Sequence, residues 1–121
     1  MAKKSEDETN SCPITGSINI FGGKWKPEII YFINQGPKRF NELRRLIPEV
    51  SQRMLTQQLR ELERDGIIHR KQYLVIPAKV VYSMTELGKT LIPIFAELEK
   101  WTTKHNNKIQ KSRTTYDKNN K

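Results

Sequence analysis

The segment Val50–Arg70 reads VSQRMLTQQLRELERDGIIHR, a helical pattern cut off by Asp65-Gly66 and followed at once by two isoleucines. At 100° per residue, Leu55, Leu59 and Leu62 fall within about 60° of arc, and Arg53, Gln57, Arg60 and Arg64 fall in a similar arc directly opposite. Ser51 stands where an N-cap is wanted, so the spacing predicts a helix from Gln52 to about Arg64. A helix this short is marginal in water without tertiary packing. Its leucines must therefore be buried, and burying them turns the arginines outward.

Upstream, RFNELRRLIPEV puts Phe40, Leu43, Leu46 and Ile47 on one side of a helix, with Asn41 as its expected cap and Pro48 as its stop. Two helices separated only by Pro48, Glu49 and Val50, the second with bases and amides on its free face, outline a helix-turn-helix. Further upstream, PITGSINIFGG spaces Ile14, Ile18 and Phe21 along one face of a short helix ended by Gly22 and Gly23. A second helix is expected to begin near Pro27 and run through PEIIYFINQ, with Ile29, Ile30, Phe32 and Ile33 central in the core and Trp25 packed beside it. Gly36-Pro37 stops it.

After Gly66 the period changes. A run from Ile67 to Ile76, a break at Pro77-Ala78-Lys79 and a run from Val80 to Met84 predict a two-stranded hairpin, a wing, with Arg70, Lys71 and Lys79 near its strands and tip. Thr85 can cap a helix starting at Glu86. Along that helix Leu87, Leu91, Ile94, Leu98, Trp101 and His105 keep a spacing close to a heptad seam, with a bend expected near Pro93. Beyond Asn106 the apolar content falls, which reads as a frayed helix end. The expected fold is mainly α with a small β hairpin, a winged helix-turn-helix. Its expected organisation is a flexible arm over residues 1–11, one domain over 12–106 and a flexible basic tail over 107–121.

Composition agrees with one modest domain in 121 residues. The longest apolar runs, such as IIYFI at Ile29–Ile33, fall far short of the roughly 18 to 20 residues a membrane span requires. No apolar segment follows the two lysines of MAKKSEDETNS, so a cytoplasmic location is expected. The formal charge is +9, from 22 basic and 13 acidic residues, and the body between Cys12 and Thr103 is itself basic. Such a body suits phosphate backbones or an anionic surface. Cys12 is the only cysteine. One thiol excludes an internal disulfide and a multi-cysteine metal site, and His69 and His105 form no recognisable ligand pair, so neither metal nor cofactor is expected. Gly22-Gly23-Lys24 lacks the upstream glycine and the following Ser or Thr of a phosphate loop.

A polar helix face can be mere solubilisation, with Arg60 or Arg64 paired to Glu61 or Glu63. Here it follows a tight turn, precedes a basic hairpin and belongs to a basic body. Arginine can fork to guanine O6 and N7, and glutamine can pair with adenine N6 and N7. Gln52, Arg53, Thr56 and Gln57 are therefore assigned to base reading. Ser51, Lys38, Arg39, Arg60 and Arg64, with the wing residues Arg70, Lys71 and Lys79, are assigned to phosphates. Ile14, Ile18 and Phe21 of the first helix, and Leu91, Ile94, Leu98 and Trp101 of the last, form the expected interface of a homodimer on a twofold-symmetric operator. Cys12, just before the first helix, is either an inert small hydrophobe or a sensor of an oxidant or small electrophile.

Cys12-Pro13, GGKW at Gly22–Trp25, RFNELRRLIPEVSQRMLTQQLRELERDGII at Arg39–Ile68 and VIPAKVVYSMTELGKTLIPIFAELEKW at Val75–Trp101 occur in order at proper separations. Together they resemble the HxlR-type regulators, relatives of the MarR group of winged-helix proteins, over residues 12–101. The resemblance implies a homodimeric winged helix-turn-helix transcriptional regulator whose first and last helices make the dimer. It also implies that the helix Gln52–Arg64 enters the major groove and that the hairpin around Pro77 to Lys79 reaches a minor groove or its backbone. Some members respond to aldehydes, quinones or thiol oxidants through the cysteine that aligns with Cys12. Members often carry VEY where this sequence has Val80-Val81-Tyr82, a departure beside the wing.

The rival reading from another class is a winged-helix module that binds a protein partner without sequence-specific DNA binding. An enzyme is the least supported, since no paired carboxylates, nucleophile and base, or metal cluster emerges.

Overall fold

The computed structural model describes residues 12–120, so the arm expected over residues 1–11 lies outside the described residues. The elements run α1 (Pro13–Phe21), α2 (Lys26–Asn34), β1 (Lys38–Arg39), α3 (Phe40–Leu46), α4 (Gln52–Arg64), β2 (Ile68–Tyr73), β3 (Lys79–Met84), α5 (Glu86–Lys89) and α6 (Ile92–Asn119). They fall into two compact units, the first ending at Lys89 and the second beginning at Thr90. No described helix is long and apolar enough to cross a membrane.

In the first unit α2 packs against α3, α4 and β3, and α4 also meets β2. Ile29, Ile30 and Ile33 from α2, Leu43 and Ile47 around α3, and Leu55, Leu59 and Leu62 from α4 are all at most 2% exposed. Burying a leucine completely contributes about 1.5 to 3 kcal/mol, which holds a 13-residue helix that would not persist alone. The two ends of α4 are closed by its own sequence. Ser51 Oγ accepts the Met54 N–H at 3.0 Å. At the other end Gly66, at φ +79°, donates to the Glu63 carbonyl while Ile67 donates to that of Leu62, a complete Schellman motif that releases the chain into β2.

The sheet has three strands in the order β1-β3-β2, all antiparallel. The hairpin is as expected, but its strands are shorter on one side: β2 stops at Tyr73, and Leu74 to Ala78 form the exposed turn. The third strand was not expected. Lys38 and Arg39 pair with Tyr82 and Val81 of β3, joining the helix-turn-helix to the wing. Because Arg39 is extended, α3 starts at Phe40 and Asn41 lies inside it. The cap is supplied by Glu42, whose Oε1 accepts the Arg39 N–H at 2.7 Å, rather than by Asn41.

Thr85 caps α5 as expected, its Oγ1 accepting the Gly88 N–H at 2.9 Å while donating to the Gly66 carbonyl at 2.6 Å. The helix expected to run unbroken from Glu86 is two helices. α5 ends at Lys89, and Pro93 lies in the first turn of α6, where its missing N–H costs nothing, instead of bending a continuous helix. In the second unit α6 continues to Asn119, past the fraying expected after Asn106. No glycine or proline interrupts the stretch after Pro93. Side chains four apart also support it, as where Gln110 Nε2 donates to Asn106 Oδ1 at 3.4 Å.

Candidate nucleic-acid interface

Burial of the three leucines leaves the opposite face of α4 in solvent. Gln52, Arg53, Gln57, Arg60 and Arg64 are exposed and Thr56 is half-buried. With Glu61 they line one continuous groove. The side chains are not equally free. Thr56 Oγ1 donates to the Gln52 carbonyl at 2.8 Å, and Gln57 Nε2 donates to Glu61 Oε2 at 3.3 Å. Ser51, assigned to phosphate, accepts the Met54 N–H as the cap, which leaves its O–H as a donor.

Glu61 was not among the expected site residues. It pairs with Lys26 of α2 at 2.7 Å, not with Arg60 or Arg64. The Lys26 hydrogen bond first, then that of Gln57 and the nearby charges of Lys26 and Arg64, hold its carboxyl below the usual carboxylate range against a smaller opposing effect of burial. Lys26 has no helical or hairpin pattern to mark it in sequence. Its position just ahead of Pro27 was the one available signal.

The sheet gathers a second basic group. Arg70 and Lys71 on β2 are exposed, and Lys79 on β3 is half-buried. The ammonium groups of Lys71 and Lys79 lie 5.0 and 5.1 Å from the centroid of the Tyr73 ring, whose face attracts both cations. Arg39 and Arg45 line a groove with Lys79, a neighbourhood that links α3 to the wing and adds Arg45 to the expected residues. Lys38 is half-buried and donates to the Gly36 carbonyl at 3.0 Å. Val81 stands opposite both Arg39 and Lys71 in the sheet. Direct cross-strand partners share a face, so valine here places no carboxylate between these two cations.

Cys12 is half-buried at the N-cap of α1. The Thr15 hydroxyl first, then the backbone amides of Thr15 and Ile14, hold its thiol below the ordinary value by favouring the thiolate. Of the expected interface residues, Ile14 and Ile18 on α1 are 68% and 48% exposed, and Phe21 is half-buried. On α6, Ile94, Leu98 and Trp101 are exposed, whereas Leu91, just before it, is buried.

Residues 20–110 match the family described as HxlR-like helix-turn-helix. The chain belongs to the HxlR family. It is thus a winged helix-turn-helix DNA-binding transcriptional regulator and not an enzyme. Among HxlR-like relatives, the uncharacterized HTH-type transcriptional regulator YdeP of Bacillus subtilis (strain 168) is 50% identical over 107 residues, 88% of this chain and 84% of its own. The redox regulator HypR in its oxidized form superimposes with a TM-score of 0.72 at 50% identity, over 77% of this chain and 96% of HypR. In its reduced form HypR gives a TM-score of 0.77 at 46% identity, over 83% of this chain and 99% of the other.

Proposed function

We propose that this HxlR-family regulator acts as a homodimer that reads a twofold-symmetric DNA operator, with α4 in the major groove and the wing beside it. One observation carries the reading: three leucines of α4 are at most 1% exposed while the arginines and glutamines opposite them face solvent. Gln52, Arg53, Thr56 and Gln57, nearest the N-terminal half, read base edges. Arg39, Arg60, Arg64, Arg70, Lys71 and Lys79 hold phosphates, assisted by Lys38 and Ser51. Exposed Ile14 and Ile18 on α1, and Ile94, Leu98 and Trp101 on α6, supply the apolar surface that a second copy covers.

Selection of bound duplexes from a randomised pool tests this directly. The expected product is a palindromic site whose half-sites lie about 34 Å apart. Arg53→Ala should change which sequences are preferred, while Lys38→Ala should weaken all duplexes alike. Weak, uniform binding with no enriched site would instead favour a module that binds a protein partner.

Cys12 is proposed as the regulatory input. The Thr15 hydroxyl and the backbone amides of Thr15 and Ile14 lower its pKa and so favour the thiolate, and likeness to a redox regulator supports a thiol that responds to oxidants or electrophiles. Alkylation with iodoacetamide should follow a pH profile displaced below that of an ordinary thiol, with Thr15→Val moving it up. Alkylated protein should lose operator binding and Cys12→Ser protein, treated identically, should keep it. Unchanged binding after complete alkylation would remove Cys12 from the mechanism.

A further inference from the structure

Lys26 is the one charged side chain that is buried among the described residues, at 6% exposure. Its ammonium donates to Glu61 Oε1 at 2.7 Å and, more weakly, to the Asn19 carbonyl at 3.4 Å. The other carboxylate oxygen, Oε2, takes the amide of Gln57 at 3.3 Å. A lysine only donates and a carboxylate only accepts. Gln57 must therefore turn its nitrogen toward Glu61, which leaves its carbonyl oxygen and one N–H for whatever lies in the groove.

We infer that Lys26 and Glu61 are positioning residues that fix the polarity of the Gln57 amide and so set its base preference. A glutamine held this way offers one acceptor and one donor, the complement of adenine N6 and N7. Guanine presents two acceptors, N7 and O6, which this orientation cannot satisfy. The inference rests on the reading of α4 as the base-reading helix.

The logic makes an inversion testable. In Glu61→Gln, Lys26 still donates only, so it holds the new amide by its oxygen and turns the new nitrogen toward Gln57. Gln57 must then swing its own oxygen inward and present its two N–H groups outward, the pattern that suits guanine. The experiment uses the full chain and the duplex enriched by selection with the wild type. The base pair read by Gln57 is the one whose identity stops mattering in Gln57→Ala. Affinities are then compared, at one salt concentration, for duplexes that differ only at that pair. The wild type should favour adenine over guanine by about five- to a hundredfold, and Glu61→Gln should shift the preference to guanine. Lys26→Arg, which keeps the ion pair, should retain adenine, and Lys26→Met, which unties Glu61, should lose it.

Retention of the adenine preference in both Glu61→Gln and Lys26→Met would overturn the inference. So would a selected site at which Gln57→Ala relaxes no base pair. If the wild type enriches no site at all, the reading of α4 falls and the inference falls with it, a result distinguishable from the other two. Should Glu61→Gln fail to melt cooperatively, the Lys26→Arg and Lys26→Met pair decides by itself.

Discussion

Glu61 is where the buried and the exposed sides of α4 meet, since its carboxylate takes Lys26 on one oxygen and Gln57 on the other. A carboxyl whose pKa is lowered on folding contributes stability that is complete above its unfolded value and is lost as pH falls through the lowered folded value. Wild type and Glu61→Gln should therefore differ most in urea midpoint near neutrality and converge as pH drops below the ordinary carboxylate range. A difference independent of pH would show that the ion pair contributes nothing. Roughly two-fifths of the Glu61 side chain is exposed, so solvent screens the pair and the difference should be modest. In sequence this contact was illegible. Spacing along a helix suggests partners three or four residues away, which for Glu61 means Arg64; only the packing of α2 on α4 brings in Lys26.

At the scale of the element, α4 should respond oppositely on its two faces. Leu59→Ala empties a site that is 1% exposed and should cost about 2 to 5 kcal/mol by urea denaturation. Arg60→Ala should stay within about 0.5 kcal/mol of the wild type while weakening DNA binding. Equal stability losses on both faces would contradict the assignment of inside and outside. This helix was legible to the residue because its leucine period, its serine cap and its Asp65-Gly66 stop all agree. The hairpin was legible from its β-branched runs, though its first strand ends early because Leu74, Val75 and Ile76 have no facing partner in the sheet. β1 was invisible, since two residues carry no alternation. The break before α6 was missed because the apolar spacing continues across it. Gly88 explains the geometry there: a Cβ at this position would collide with the Ile67 carbonyl oxygen, so only glycine lets α5 lie this close to the start of β2.

At the scale of the whole molecule, the question is what covers the apolar side chains that the chain leaves in water. Ile14 and Ile18 on one unit, and Ile94, Leu98 and Trp101 on the other, are between 48% and 68% exposed. Light scattering at micromolar concentration should give twice the chain mass, and Ile18→Lys or Leu98→Lys should shift it toward the monomer with loss of operator affinity. A monomeric wild type would refute the dimer. The general class was legible because it needs only charge, the order of helices and a hairpin. The proposed interface could be read only as an apolar stripe, and one of its expected members, Leu91, is 9% exposed in the single chain.

The short strand β1 changes what counts as an interchangeable part in this fold. Lys38 and Arg39 are hydrogen-bonded to the hairpin although they precede it by almost thirty positions in the chain. A chimera that grafts only the β2–β3 hairpin from a relative would inherit a seam cut through the middle of a sheet. Grafts that carry residues 38–39 along with 68–84 should keep both the seam and the cations beside it, making the sheet rather than the hairpin the smallest module that recombination can move intact.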